Sequence, residues 1–238
     1  MAPRPKAAPR DRSTTVLLVR HGTTSTTGKV LPGRAAGLHL SDSGREQAAA
    51  VAERLSAWSE AAARPPERSG GADKPSEPRK GIAAVYSSPL ERTRETAAAI
   101  AKSVGLRVQV ERGLLECDFG DWTGGSLKEL SKLPEWSTVQ RYPSGFRFPG
   151  GESFVAMQAR IVDTIGRLRA RHPGEVVVAV SHADPIKAAV ADAVGTHLDL
   201  FQRIVISPCS VTAVVYGTGG PTVLAVNSTG SLKELVPS

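Results

Sequence analysis

Three short apolar runs in this chain each end in side chains able to do chemistry. Val16–Val19 leads into Arg20-His21-Gly22-Thr23-Thr24, Ile82–Tyr86 into Ser87-Ser88-Pro89-Leu90-Glu91-Arg92, and Val176–Val180 into Ser181-His182-Ala183-Asp184. In open α/β sheets, ligands bind outside the carboxyl ends of the strands. If the three runs are parallel neighbours, Arg20, His21, Arg92 and His182 converge on one crevice. Two guanidinium groups and two imidazoles make that crevice a site for anions. A phosphoryl group suits it better than a carboxylate, because several forked donors can spread around its oxygens.

The elements that must position these groups follow from periodicity. Short β-branched runs alternate with longer helical patterns, as in an α/β fold. Strands are expected at Val16–Arg20, Ile82–Tyr86, Arg107–Val110, Val176–Ser181, Ser210–Tyr216 and Val223–Asn227. A first helix starts around Gly44 and buries Val51, Leu55 and Trp58; a second follows Pro89 with Ala97, Ile100, Ala101 and Val104 on one face. A third runs from about Glu152 to His172 over Phe154, Met157, Ile161, Ile165 and Leu168. A fourth follows Asp184-Pro185 with Ile186, Val190 and Val194 inward, and Asp184 before a proline reads as its N-cap. The expected architecture is a single three-layer domain over residues 14–238, with a mostly parallel central sheet of about six strands flanked by helices.

Composition narrows the function classes. With 40% apolar and 22% charged residues over 238 positions, the chain is ordinary globular material. The two cysteines, Cys117 and Cys209, form no CxxC pair, so a disulfide scaffold and a cysteine zinc site are not expected. The net charge of +7 could suggest nucleic acid, but residues 1–13 and 64–80 carry +5 of it in proline-rich stretches poor in apolar side chains. The first stretch reads as a disordered basic N-terminus and the second as a flexible insertion. No nucleic-acid partner is expected. No apolar run near the start is long enough for a membrane span or a signal core, and the default expectation is a cytoplasmic protein.

Six blocks together resemble the histidine phosphatase superfamily, the group that includes phosphoglycerate mutases. They are Arg20-His21-Gly22-Thr23-Thr24; Leu40-Ser41-Asp42-Ser43-Gly44-Arg45-Glu46-Gln47-Ala48; Ser87–Arg92 with Glu95-Thr96-Ala97; Leu115-Glu116 with Gly120 and Gly124; Phe148-Pro149-Gly150-Gly151-Glu152-Ser153; and Ser181-His182. Any one block is weak, but six in family order are specific. The stretch His197–Arg203 further resembles a bacterial phosphomutase-like subgroup. The resemblance implies a phosphoglycerate mutase-like fold and metal-free phosphoryl transfer from a small phosphorylated substrate through a phosphohistidine. His21 would be the nucleophile, with Arg20, Arg92 and His182 clamping the phosphoryl oxygens and Thr24 and Thr27 completing the substrate contacts. Glu116 would be the general acid, with its pKa raised by partial burial. No cofactor is implied, and many relatives are dimers, which leaves a homodimer open.

Two departures from the family pattern stand out. Thr27 occupies a position where the family often has a phosphate-contacting asparagine, and Ala183 replaces the usual glycine after the second histidine. Asp184 competes with Glu116 as the acid, because an acid-phosphatase branch uses an aspartate directly after that histidine. A metal centre on His21, His182 and Asp184 lacks close helical histidine spacing and would leave the arginines repelling the ion. The leading expectation is a phosphatase, with a phosphoglycerate-type mutase as runner-up. A silent binding module would be favoured only if Arg20, His21, Arg92 or His182 were missing. Selectivity is expected from a cap-like stretch between Asp118 and Ser153, with Trp122, Trp136, Arg141, Tyr142, Arg147 and Phe148 as candidates.

Overall fold

The computed structural model describes residues 13–63 and 81–232. The expected basic tail up to Arg12 and the whole 64–80 insertion lie outside the described residues. Six strands form one sheet in the order β3-β2-β4-β1-β5-β6, with β1 spanning Thr14–Arg20, β2 Ile82–Ser87, β3 Val108–Val110, β4 Val176–Ser181, β5 Val211–Gly217 and β6 Gly220–Ser228. The first four in that order run parallel; β5 pairs antiparallel with β1, and β6 antiparallel with β5. All six expected strands are present, five within two residues of the expected bounds and β6 beginning three residues early at Gly220.

Successive side chains of β1 point to opposite faces of the sheet, and both faces are covered. Val16 and Leu18 join Phe154, Met157, Ile161 and Leu168 of α5 (Phe154–Arg171), together with Ile186 of α6 (Ala183–Ala193). Leu17 and Val19 join Val51, Leu55 and Trp58 of α1 (Asp42–Ala63), together with Ala97 and Ile100 of α2 (Glu91–Ser103). These are the residues picked out by the helical period, and the result is the expected three-layer α/β architecture. Burying each large aliphatic side chain contributes roughly 1.5–3 kcal/mol. That exceeds any propensity difference along these helices, so packing on the sheet holds them.

Helix boundaries differ in instructive ways. The hydroxyl of Ser41 accepts the Gly44 amide (3.1 Å), so α1 begins at Asp42, a turn's fraction earlier than its apolar pattern. Ser153 caps α5 by accepting the Ala156 amide (3.1 Å), which excludes Glu152 from the helix. The expectation for α6 is corrected twice. His182 occupies its N-cap position and Asp184 lies inside the first turn, so Asp184 is not the cap. Val194 sits past the last turn and is 52% exposed. The 118–153 stretch contains two short helices, α3 (Leu127–Leu130) and α4 (Trp136–Arg141).

Candidate active site

Strand register brings the predicted groups together. Arg20 is paired with Ser181 across β1 and β4, and the His21 amide donates to the Ser181 carbonyl (3.1 Å). His21 and His182 therefore leave neighbouring strands side by side, with ring centroids 5.2 Å apart. On the other side of β4, the Ser88 amide donates to Val180 (3.0 Å), and α2 starts three residues later. Arg92 in its first turn is fully buried. The assumption that the three chemically armed runs are parallel neighbours holds, because β4 lies between β1 and β2.

The backbone beyond β1 is fixed by close approach. A Cβ on Gly22 would meet the Gly44 carbonyl oxygen at 2.5 Å, and one on Gly44 would meet the Thr23 oxygen at 2.0 Å. Only two glycines allow the His21 loop to lie this close to the start of α1. Thr96 of α2 ties the loop from the other side: its hydroxyl accepts the Gly22 amide (3.2 Å) and donates to the Arg92 carbonyl (2.8 Å). Gln47 of α1 accepts the Thr23 amide (2.9 Å).

This loop sets the state of the His21 ring. Nδ1 stands 2.7 Å from the Gly22 carbonyl oxygen. A carbonyl can only accept, so Nδ1 carries the proton and Nε2 keeps its lone pair. Burial, with Arg92 and Arg20 adding positive charge nearby, pushes the His21 pKa down to about 3, so the ring is neutral at neutral pH. Burial beside the same arginines and His21 also lowers the His182 pKa well below the usual range. His182 Nε2 lies 2.9 Å from the Ser88 hydroxyl.

Four buried nitrogens here have no protein partner: Nε of Arg20, Nε and Nη1 of Arg92, and Nδ1 of His182. The remaining guanidinium contacts anchor the two arginines. Arg20 Nη1 donates to the Ile206 carbonyl (2.6 Å) and Arg92 Nη2 to the Gly33 carbonyl (2.6 Å). Buried unpaired donors normally cost about 1–3 kcal/mol each, and more when charged. Here all four belong to side chains gathered about His21, which makes the locus a candidate anion site.

Glu116 is buried and lines the same cleft of about 380 Å³ as Arg20, His21, Thr24 and Thr27. Burial, reinforced by the Asp184 charge, raises its pKa to about 7, against the Cys117 amide and the two arginines, which pull it down. Thr24 and Thr27 hold each other: the Thr24 amide donates to Thr27 Oγ1 (2.9 Å), and their hydroxyls are 3.0 Å apart.

The groups that hold Glu116 were not found in the sequence. Arg160 of α5 donates to the carbonyls of Gly113 and Leu115 (both 2.8 Å) and Glu116 (3.3 Å), and forms an ion pair with Glu152 (2.9 Å). Arg34 donates to the Glu116 carbonyl (2.9 Å) and reaches Glu152 (2.9 Å) as well. Ser181 adds a bond from its hydroxyl to the Leu114 carbonyl (2.8 Å). The one signal available was Glu152 itself, within the Phe148–Ser153 block and without an assigned role.

Asp184 lines the cleft and pairs with Lys187 (3.1 Å), which also donates to Gln202 (3.0 Å). The candidate selectivity residues are corrected too. Trp122 and Phe148 are buried in an aromatic cluster with Trp136, Phe146, Phe154 and Phe201, and Arg141, Tyr142 and Arg147 point to solvent. From that stretch only Phe119 and Leu127 reach the cleft. Among the described residues, no group of three or more His, Cys, Asp or Glu side chains is placed to hold a metal ion, and no helix is long and apolar enough to cross a membrane.

A doubly flanked sheet with two histidines and two arginines at the mouths of adjacent parallel strands defines a class, and the chain belongs to it. The profile of the histidine phosphatase superfamily (branch 1) matches residues 16–63 and 77–229. Among individual relatives, a Mycobacterium tuberculosis protein named as bifunctional is 35% identical over 156 residues, 65% of this chain and 43% of its own. The chain thus spans less than half the length of that relative. Phosphoserine phosphatase 1 of Hydrogenobacter thermophilus is 28% identical over 82% of this chain and 83% of its own. The solved structure of a mycobacterial glucosyl-3-phosphoglycerate phosphatase has the same fold, with a TM-score of 0.74 and 24% identity over 92% of this chain and all of that one.

Proposed function

We propose that this chain is a phosphatase that hydrolyses small phosphomonoesters through a phosphohistidine on His21, without a metal ion. The observation that carries the reading is the set of four unpartnered buried nitrogens of Arg20, Arg92 and His182 beside the free Nε2 of a neutral His21. The named activities of the relatives, phosphoserine and glucosyl-3-phosphoglycerate phosphatases, agree with it.

In the first step His21 Nε2 attacks phosphorus while the ester oxygen leaves opposite. Arg20 and Arg92 balance the charge spreading over the equatorial oxygens, the work a metal would otherwise do. With the Ser88 hydroxyl donating to Nε2, His182 directs an Nδ1–H at the same oxygens. Glu116, whose raised pKa of about 7 leaves about half of it protonated at neutral pH, gives its proton to the departing alkoxide. Its carboxylate then takes a proton from water, which attacks the phosphohistidine. Phosphate leaves, and His21 and Glu116 regain their starting states.

The test is chemical. Acid quench with labelled substrate should trap acid-labile, base-stable label on the protein, and His21→Ala should lose both label and turnover. Activity should survive exhaustive chelation and be inhibited by vanadate, whose five-coordinate form mimics the transition state. Label persisting on His21→Ala protein, or activity lost to chelation and restored by a divalent ion, would refute the mechanism. Turnover of phosphoglycerate dependent on added bisphosphoglycerate would move the chain to the mutase reading.

A further inference from the structure

Beyond Arg20, His21 and Glu116, the cleft has two kinds of wall. One is apolar: Val30, Leu31, Pro32, Leu127, Ile204 and Val205 all face it, and Val205 is 66% exposed at that surface. The other carries Lys187, Asp184 and Gln202. Lys187 is the one lining cation besides Arg20 among the described residues, and it is already committed. Its ammonium pairs with Asp184 at 3.1 Å and donates to Gln202 at 3.0 Å, with both charged side chains only 17% exposed. Lys29 and Lys128 flank lining residues in sequence but do not line the cleft.

Arg20 and Arg92 balance a phosphoryl dianion, and Lys187 and Asp184 balance each other. A carboxylate on the substrate's alcohol half would have no free cation and would face Asp184. Like-charge juxtaposition of that kind disfavours binding, and the apolar wall would gain nothing from it. We infer that the substrate's alcohol half is uncharged and largely apolar, so that the chain selects phosphomonoesters of neutral alcohols over esters that carry a carboxylate. The inference rests on the phosphatase reading above. It separates this chain from relatives named for phosphoserine or a phosphoglycerate, whose alcohols are acidic.

The experiment compares kcat/KM for benzyl phosphate, 3-phosphoglycerate and phosphoserine, with p-nitrophenyl phosphate reporting phosphatase activity as such. Benzyl phosphate should exceed both carboxylate esters by at least about tenfold. Asp184→Asn frees the Lys187 charge, so the ratio of 3-phosphoglycerate to benzyl phosphate should rise roughly tenfold. Effects of that variant on Glu116 or on folding act on both alkyl esters and cancel in the ratio. A wild-type preference for either carboxylate ester, or a ratio unmoved by Asp184→Asn, overturns the inference while p-nitrophenyl phosphate is still hydrolysed. No hydrolysis of any ester, p-nitrophenyl phosphate included, overturns the phosphatase reading and this inference with it.

Discussion

Glu116 reaches a pKa of about 7 because burial works against its charge and Asp184 adds to the effect. An acid must be protonated to give a proton, so turnover of an alkyl ester should fall as pH rises through about 7. Glu116→Gln keeps the shape and removes the proton, and should slow alkyl esters by about 10² to 10⁴-fold. An aryl ester with an activated leaving group should suffer much less, and steady-state rates on the two substrates make the comparison. Asp184→Asn removes one cause of the raised pKa, so the alkaline limb should move to lower pH. If the leaving-group dependence follows Asp184 instead, the acid is misassigned. The gathering of His21, Arg92 and His182 at one sheet edge was legible because two of them follow strand ends directly and Arg92 lies in the first helical turn after a third. Asp184 was misread because an aspartate before proline looks the same at a helix cap and one residue inside it. Arg34, Arg160, Lys187 and Gln202 were invisible, since long polar side chains reach their partners across elements that spacing does not relate.

At the scale of elements, the loop after β1 is pinned between α1 and α2. Thr96→Val keeps the volume of that side chain but strands the buried Gly22 amide, which should cost about 1–3 kcal/mol of stability. The same change should lower kcat more than it raises KM, because it loosens the loop that orients His21. Denaturant melts alongside kinetics test this; unchanged kcat in a destabilised protein would confine Thr96 to a structural role. The strands and four long helices were readable because each buries one face against the sheet, and burial writes a period into the sequence. The 118–153 stretch has no such period. Trp122, Trp136, Phe146 and Phe148 pack on one another and on Phe154 of α5, so selectivity candidates such as Trp122 and Phe148 proved to be core, while Tyr142 is exposed.

For the whole molecule, the buried histidines couple stability to pH. In the unfolded chain His21 titrates near 6.5, while in the folded protein it is held down to about 3 and His182 also lies well below the usual range. As pH falls below about 6.5 the unfolded chain binds protons that the folded one does not, so stability declines toward acid. Glu116 runs the other way, losing stability as pH rises from about 4.5 to about 7, but it is one group against two. The melting temperature should therefore drop between pH 6.5 and 4.5 and drop less in His21→Ala; equal slopes would show that His21 does not titrate as its burial implies. The central seat of β1, hydrogen-bonded to β4 on one side and β5 on the other, has a kinetic counterpart. Amide hydrogens of such a strand exchange with solvent only when the whole fold opens, whereas peripheral units open at lower free energy. The Arg112–Trp122 segment that carries Glu116 buries Leu114, Cys117, Phe119 and Trp122 in the same core as Val16 and Leu18, and Ser181 of β4 bonds its Leu114 carbonyl, so it should open with the sheet and not before it. Subdenaturing guanidinium, which screens the Arg34 and Arg160 pairs with Glu152, should therefore leave Glu116 and His21 in place together. Alkyl-ester and aryl-ester turnover should then be lost together, when the sheet itself gives way.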